Sequence, residues 1–344
     1  MSVVTPWAQE TSDGLARYLG ELWGRDVEVT LDSVASTGAR RRNVLFRADD
    51  GEQVHGLVAT IVPNPALQIQ PFMLEPDMLR VAETGGVPVA HVVGATLDES
   101  YVGGPFFVSG LITGETVPRR VLRVIEANDL GPRLAVQAGR AFAKLHAIPI
   151  TEAPEALEVI AENPQQRALD RLDEIMGSLL QPSPTFALGR RWLELNRPST
   201  TPPITIIHSD IRVGNVIVGD DGLRAVLDWE GVRTGDPMED TAWISVRMWR
   251  FGNDDREVGG FADPADLAAA YTDAGGTWDD QRFRWWQILG TLRWGIGLAG
   301  QALAHLDGSV PNVIMAASGR RIAEQEYDVL NYIRRQMRAA GEHG

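Results

Sequence analysis

The residues best able to do chemistry crowd into one stretch, His208-Ser-Asp210-Ile-Arg212-Val-Gly-Asn215, followed after a short interval by Asp228-Trp-Glu230. Apolar Ile204 to Ile207 lead into it as a strand, which places His208 and Asp210 where a strand gives way to a loop. Val216 to Val218 and Leu223 to Leu227 flank Gly219-Asp220-Asp221-Gly222, a hairpin turn signature. Two short strands of similar length bring their outer ends together, so the hairpin returns Asp228 towards Asn215. Asp210, Asn215 and Asp228 then converge. Phosphoryl transfer asks for that set: a carboxylate to orient and deprotonate an attacking hydroxyl, and oxygen donors for magnesium bridging nucleotide phosphates.

Elements on both sides must hold this stretch in place. Leu15, Tyr18, Leu19, Leu22 and Trp23 fall at helical spacing behind the capping candidates Thr11, Ser12 and Asp13, which predicts an amphipathic first helix. The β-prone runs Val27 to Leu31, Asn43 to Arg47 and Val54 to Val62, parted by Gly38 and by Asp49-Asp50-Gly51, predict a small antiparallel sheet. A helix is expected over Met73 to Glu83, then strands over Val87 to Val93 and Phe106 to Leu111. From about Val117 helical periodicity dominates, clearest at Leu134 to His146. The expected architecture is therefore α+β and two-lobed, divided near Gly110 to Gly114: residues 1–111 as a nucleotide-binding lobe, residues 112–344 as a helical lobe with the chemical loop and an acceptor pocket.

The central stretch resembles the H-x-D-x-x-x-x-N loop and the magnesium-binding Asp of the aminoglycoside and macrolide phosphotransferases, a superfamily with a protein-kinase-like fold. Asp228-Trp-Glu stands in the place of the kinase Asp-Phe-Gly, and Gly235-Asp236-Pro237 with Asp240 matches a further motif of the superfamily. The resemblance implies an ATP- and magnesium-dependent enzyme that phosphorylates a hydroxyl of a small molecule. It makes Asp210 the base and Asn215 with Asp228 the metal ligands, with His208 and Asp236 orienting the loop. Arg212, where protein kinases often carry a lysine, is expected to neutralise the transferring phosphate.

The resemblance is weaker in the first lobe. Ser33 to Arg42 lies between two strands as a phosphate-covering loop would, with Ser36, Thr37 and Gly38 as its candidate contacts. Relatives carry a cation on the third strand where this chain reads Leu57-Val58-Ala59-Thr60; Glu75 resembles the helix acid that pairs with it, and Arg40, Arg41 or Arg42 is left to reach in instead. Phe107 to Leu111 resembles the hinge that receives adenine, with Val108 and Gly110 as candidates. Farther on, Trp243, Arg247, Trp249 to Gly252, Trp285-Trp286 and Trp294 are similar to the kinase-like domains joined to some acyl-CoA dehydrogenases, which adds hydroxyacyl compounds to aminoglycosides and macrolides as acceptors. A catalytically degenerate nucleotide-binding regulatory module is the alternative that the absent strand cation raises, and a metal-assisted hydrolase could use the same carboxylates.

Composition removes other classes. The 344 residues hold no cysteine, which excludes disulfides, thiolate metal sites and a cysteine nucleophile. A formal net charge of −14 argues against nucleic acid and anionic membranes as partners. No apolar run is long enough to span a bilayer and no leader pattern opens the chain, so the expected location is cytoplasmic, with oligomeric state left open. Lys144 is the single lysine beside a combined Lys and Arg count of 32, so any phosphate-binding cation should be an arginine.

Overall fold

The computed structural model describes residues 6–37, 41–68, 70–160, 163–177, 179 and 181–341. Helix α1 (Pro6–Trp23) lies on a sheet built from β1 (Glu28–Thr37), β2 (Arg42–Asp49), β3 (Val54–Ile61), β4 (Val92–Thr96) and β5 (Phe106–Gly110), with α2 (Leu74–Thr84) inserted after β3. All neighbours in the sheet are antiparallel and the order is β1-β2-β3-β5-β4. Alternation along the strands divides its two faces. Val44, Phe46 and Ala48 of β2 and Leu57, Ala59 and Ile61 of β3 join Leu15, Tyr18 and Leu19 of α1 in one apolar cluster. Leu15 and Leu19 are fully buried there, each stabilising by roughly 1.5–3 kcal/mol. Gly14 permits this approach, since a Cβ at that position would meet the Tyr101 carbonyl oxygen at 1.8 Å. On the opposite face Asn43 and Thr60 pair through their side chains at 3.0 Å, and Phe107 joins Leu74 and Met78 of α2 in the larger core.

The second part consists of α3 (Pro118–Ala127), α4 (Gly131–Ala147), α5 (Pro164–Met176), α6 (Pro184–Leu195), β6 (Thr205–Ile207), β7 (Val216–Gly219), β8 (Gly222–Val226), β9 (Arg233–Gly235), α7 (Pro237–Trp243), α8 (Pro264–Asp273), α9 (Asp280–Leu306), α10 (Val313–Ser318) and α11 (Ile322–Gly341). β7 and β8 form the expected antiparallel hairpin, while β6 pairs with β9. The fold is α+β with an antiparallel sheet followed by a mainly helical part, as the sequence reading has it.

Two strands depart from expectation: β1 runs on to Thr37, past Leu31 and into the expected loop, and the strand expected from Val87 starts late. Residues 87–91 are irregular and β4 begins only at Val92. Pro88 removes a ladder donor, and its carbonyl instead accepts the N–H of Val226 at 2.8 Å, tying the first sheet to the β7–β8 hairpin. No helix among the described residues is long and apolar enough to cross a membrane.

Candidate active site

The loop after β6 is held from below by one buried carboxylate. Asp240, on α7 and fully buried, accepts the backbone N–H of His208 at 2.8 Å and of Ser209 at 2.6 Å. Its Oδ2 also lies 3.2 Å from Nε2 of His146, whose Nδ1 meets the Tyr271 hydroxyl at 2.9 Å. Burial alone pushes the Asp240 carboxyl up, but bonds from His146 and His208 outweigh it and hold it below its ordinary 3.8. Ser209 adopts a left-handed conformation with φ 69°, uncommon for a residue other than glycine. Its hydroxyl donates to the Gly231 carbonyl at 2.8 Å, and a Cβ on Gly231 would lie only 2.6 Å from that hydroxyl.

Asp210 emerges from this support with 31% of its side chain exposed. Oδ1 accepts from Trp243 Nε1 at 2.7 Å and Arg212 Nε at 3.2 Å, and Oδ2 accepts from Asn215 Nδ2 at 2.7 Å. A carboxylate offers about four acceptor directions, so one on Oδ2 is left for an incoming hydroxyl. The Arg212 guanidinium lies 4.7 Å over the Trp249 ring while its Nε holds Asp210. On the other side Arg293 stacks 4.3 Å over Trp243 and donates to Glu239 at 2.8 Å. Trp243 was not singled out at Asp210 by sequence; its only signal is its place on the same short helix as Asp240.

His208 turns inward. Its Nε2 lies 3.0 Å from the Leu227 carbonyl and its Nδ1 accepts the Asp210 N–H at 3.2 Å, an arrangement that needs the neutral ring with its proton on Nε2. Burial pushes the imidazole below its ordinary 6.5, although Asp240 and Asp210 pull the other way. The folded state therefore favours the neutral ring, and below 6.5 the unfolded chain binds the extra proton. The His208 contribution to stability is complete above 6.5 and is lost as pH falls towards the depressed folded value. Thermal melts from about pH 7 down to about pH 5 should show this slope, and His208→Gln should flatten it. Equal slopes in the two proteins would contradict the assignment.

The hairpin closes as expected: Leu227 N–H donates to the Asn215 carbonyl at 2.9 Å, which places Asp228 one residue beyond that contact. Asp228 is left-handed, with φ 65°, and its carboxylate takes no hydrogen bond among the described residues. Asn215 gives its Nδ2 to the carbonyl and the carboxylate of Asp210, which leaves its Oδ1 as an oxygen donor. One carboxylate and one amide oxygen beside an open cleft fit magnesium, which keeps several waters and draws further ligands from substrate phosphates. Across the cleft Arg41 lies 2.8 Å from Glu75, 3.1 Å from Glu230 and 3.7 Å from Asp228. Burial pushes the Glu75 carboxyl up, against the pull of Arg41. Gln70 adds a second bridge, donating to the Val232 carbonyl at 2.9 Å.

Other candidates fare differently. Gly38 and Arg40 lie outside the described residues, and Ser36 and Thr37 end β1. Val108 stands in the middle of the sheet between Ala59 and Gly94, so its backbone groups are committed to the ladder, and Gly110 N–H is taken by the His91 carbonyl at 2.9 Å. Neither has an N–H to offer adenine; the sheet order put β5 between two partners. Ala59 lies beneath α1, which makes Thr60 the cleft-side residue of that strand. Asp236 is fully buried, capping α7 through Met238 N–H and bonding Arg282 at 3.0 Å and Trp286 Nε1 at 2.8 Å, so it fastens α7 to α9. Trp285 and Trp286 are core, whereas Trp243 touches Asp210.

The profile of the phosphotransferase enzyme family matches residues 33–287. Among solved structures, a Ralstonia eutropha JMP134 protein provisionally described as an aminoglycoside phosphotransferase is similar at TM-score 0.71 and 19% identity, over 94% of this chain and 98% of the other. A macrolide 2'-phosphotransferase type I matches at TM-score 0.62 and 20% identity, over 94% and 99%. A thermostable aminoglycoside phosphotransferase variant in ternary complex with AMP-PNP and hygromycin B matches at TM-score 0.62 and 15% identity, over 93% and 98%. No curated protein matches the chain.

Proposed function

Because the chain belongs to the phosphotransferase enzyme family, we propose that it moves the γ-phosphate of ATP to a hydroxyl of a small molecule, with Asp210 as the base and magnesium held by Asn215 and Asp228. The observation that supports this reading is that Asn215 Nδ2 bonds the Asp210 carboxylate while the Leu227 N–H bonds the Asn215 carbonyl, which brings the chain at Asp228 back to that loop. The free direction on Asp210 Oδ2 takes the acceptor proton and aligns the attacking oxygen. His208 and Asp240 fix the loop that presents it. Asn215 and Asp228 would hold magnesium, which would supply positive charge against the nucleotide phosphates. The nucleotide lies between residues 1–111 and 112–344, and with Val108 and Gly110 engaged in the sheet, adenine meets the backbone just past β5 instead. The AMP-PNP and hygromycin B bound by one structural relative agree with a nucleotide and a small alcohol as substrates. Arg41 beside Glu75 weakens the case for a degenerate module, since a cation does reach the helix acid.

The test is nucleotide consumption against aminoglycosides, macrolides and hydroxyacyl thioesters. Formation of ADP should need both an acceptor and magnesium, and Asp228→Ala should raise the magnesium concentration required by about tenfold or more, the scale of a lost ligand or its support. Consumption indifferent to magnesium, or an unchanged requirement in Asp228→Ala, would count against the metal assignment.

A further inference from the structure

We infer that Arg41 is the nucleotide-phosphate cation of this chain, delivered from the start of β2 in place of a cation on the third strand, with Gln68 as a neighbouring donor. This rests on the kinase reading of the cleft given above. The sheet register supplies the geometry. Arg42 pairs with Ile61 and Asn43 with Thr60, so Arg41 follows one step beyond on the side of Asn43 and Thr60. Arg42 goes the other way, 5.3 Å over the Trp7 ring of α1. Thr60, where a strand cation would project into the cleft, is spent on Asn43 instead.

The surroundings of Arg41 point to an anion. Its side chain is 14% exposed, yet among the described residues Nε is buried without a hydrogen-bond partner, and so is Nε2 of Gln68. Both residues line one small recess with Phe72, Glu75, Trp229 and Glu230. Two buried donors left unpaired in one recess carry a desolvation cost that an oxygen-rich ligand would relieve. Glu75 anchors the guanidinium through Nη1 and Glu230 lies 3.1 Å from Nη2, so Nε is the donor left for a phosphate oxygen. Three carboxylates, Glu75, Asp228 and Glu230, surround this single guanidinium. Among the described residues these carboxylates outnumber the guanidinium, which disfavours a bare polyphosphate; a nucleotide accompanied by a divalent cation avoids that repulsion. A purely structural bridge between the two parts of the chain would not need Arg41 Nε and Gln68 Nε2 both left without an acceptor among the described residues.

Calorimetric binding of AMP-PNP with magnesium tests the assignment without turnover. Arg41→Ala should weaken binding by about 10- to 100-fold, the scale of a charge-assisted hydrogen bond, and Arg41→Lys by less. Arg41→Ala combined with Thr60→Lys, which returns a cation to the same face from β3, should recover most of the loss. Thermal melts of each variant separate binding from folding. Binding by Arg41→Ala within about twofold of the parent would overturn the proposal, and so would a loss that Thr60→Lys leaves untouched in a variant that is folded. If the parent protein itself bound no AMP-PNP with magnesium, the kinase reading would fall first; parent binding with an indifferent Arg41→Ala would sink the Arg41 assignment alone.

Discussion

Asp210→Ala should lower phosphate transfer by about 10²- to 10⁴-fold while leaving the affinity for AMP-PNP with magnesium nearly intact. The asymmetry follows from position. Asp210 is oriented by Trp243, Arg212 and Asn215 and keeps one acceptor direction open, whereas the proposed nucleotide contacts fall to other residues. Alanine removes that direction and also strands three donors, so some stability is lost with it. Asp210→Asn is the companion variant: it keeps the size and one acceptor oxygen but cannot take a proton. Loss of turnover in both, with a melting temperature near the parent value in the asparagine variant, assigns the loss to chemistry. Transfer by Asp210→Asn within about threefold of the parent would remove Asp210 from the role of base.

The second large effect falls on stability. Asp240→Ala should destabilise the protein by about 3–5 kcal/mol, because it leaves the N–H groups of His208 and Ser209 and the ring of His146 without their acceptor in a site closed to water. Ser209 holds a strained φ that those bonds maintain, so the loop before Asp210 should relax and turnover should fall as well. Urea unfolding with a shared slope measures the difference. Asp240→Asn, which keeps one oxygen, should cost less. A change under about 1 kcal/mol for the alanine variant would show that the loop is held by something else.

How far the sequence could be read differs between the two halves of the cleft, and for physical reasons. The loop and hairpin from His208 to Asp228 depend on local rules: a strand run, a turn signature and the return of a short hairpin, all within one stretch of chain. Those rules also gave the first helix and most strands, failing at Pro88, whose missing N–H delays β4 to Val92. Contacts that depend on pairing between distant segments were not legible. Which of Arg41 and Arg42 faces the cleft is fixed by the register of β2 on β3, and a slip of one residue would exchange the two. That the Gly110 N–H is taken by His91, beside β4, follows from the order β3-β5-β4, which no local rule announces. The bond from Trp243 to Asp210 requires α7 to lie against the loop after β6, an approach that no spacing announces.

The central claim is that a phosphoryl group passes from ATP to a small alcohol at Asp210. The most direct measurement is the intact mass of each member of the acceptor panel after incubation with ATP, magnesium and protein. One acceptor class should gain a single phosphoryl group, together with an equal amount of ADP, and Asp210→Asn should abolish the gain. Release of free phosphate with every acceptor unmodified, at a rate that Asp210→Asn does not change, would contradict it.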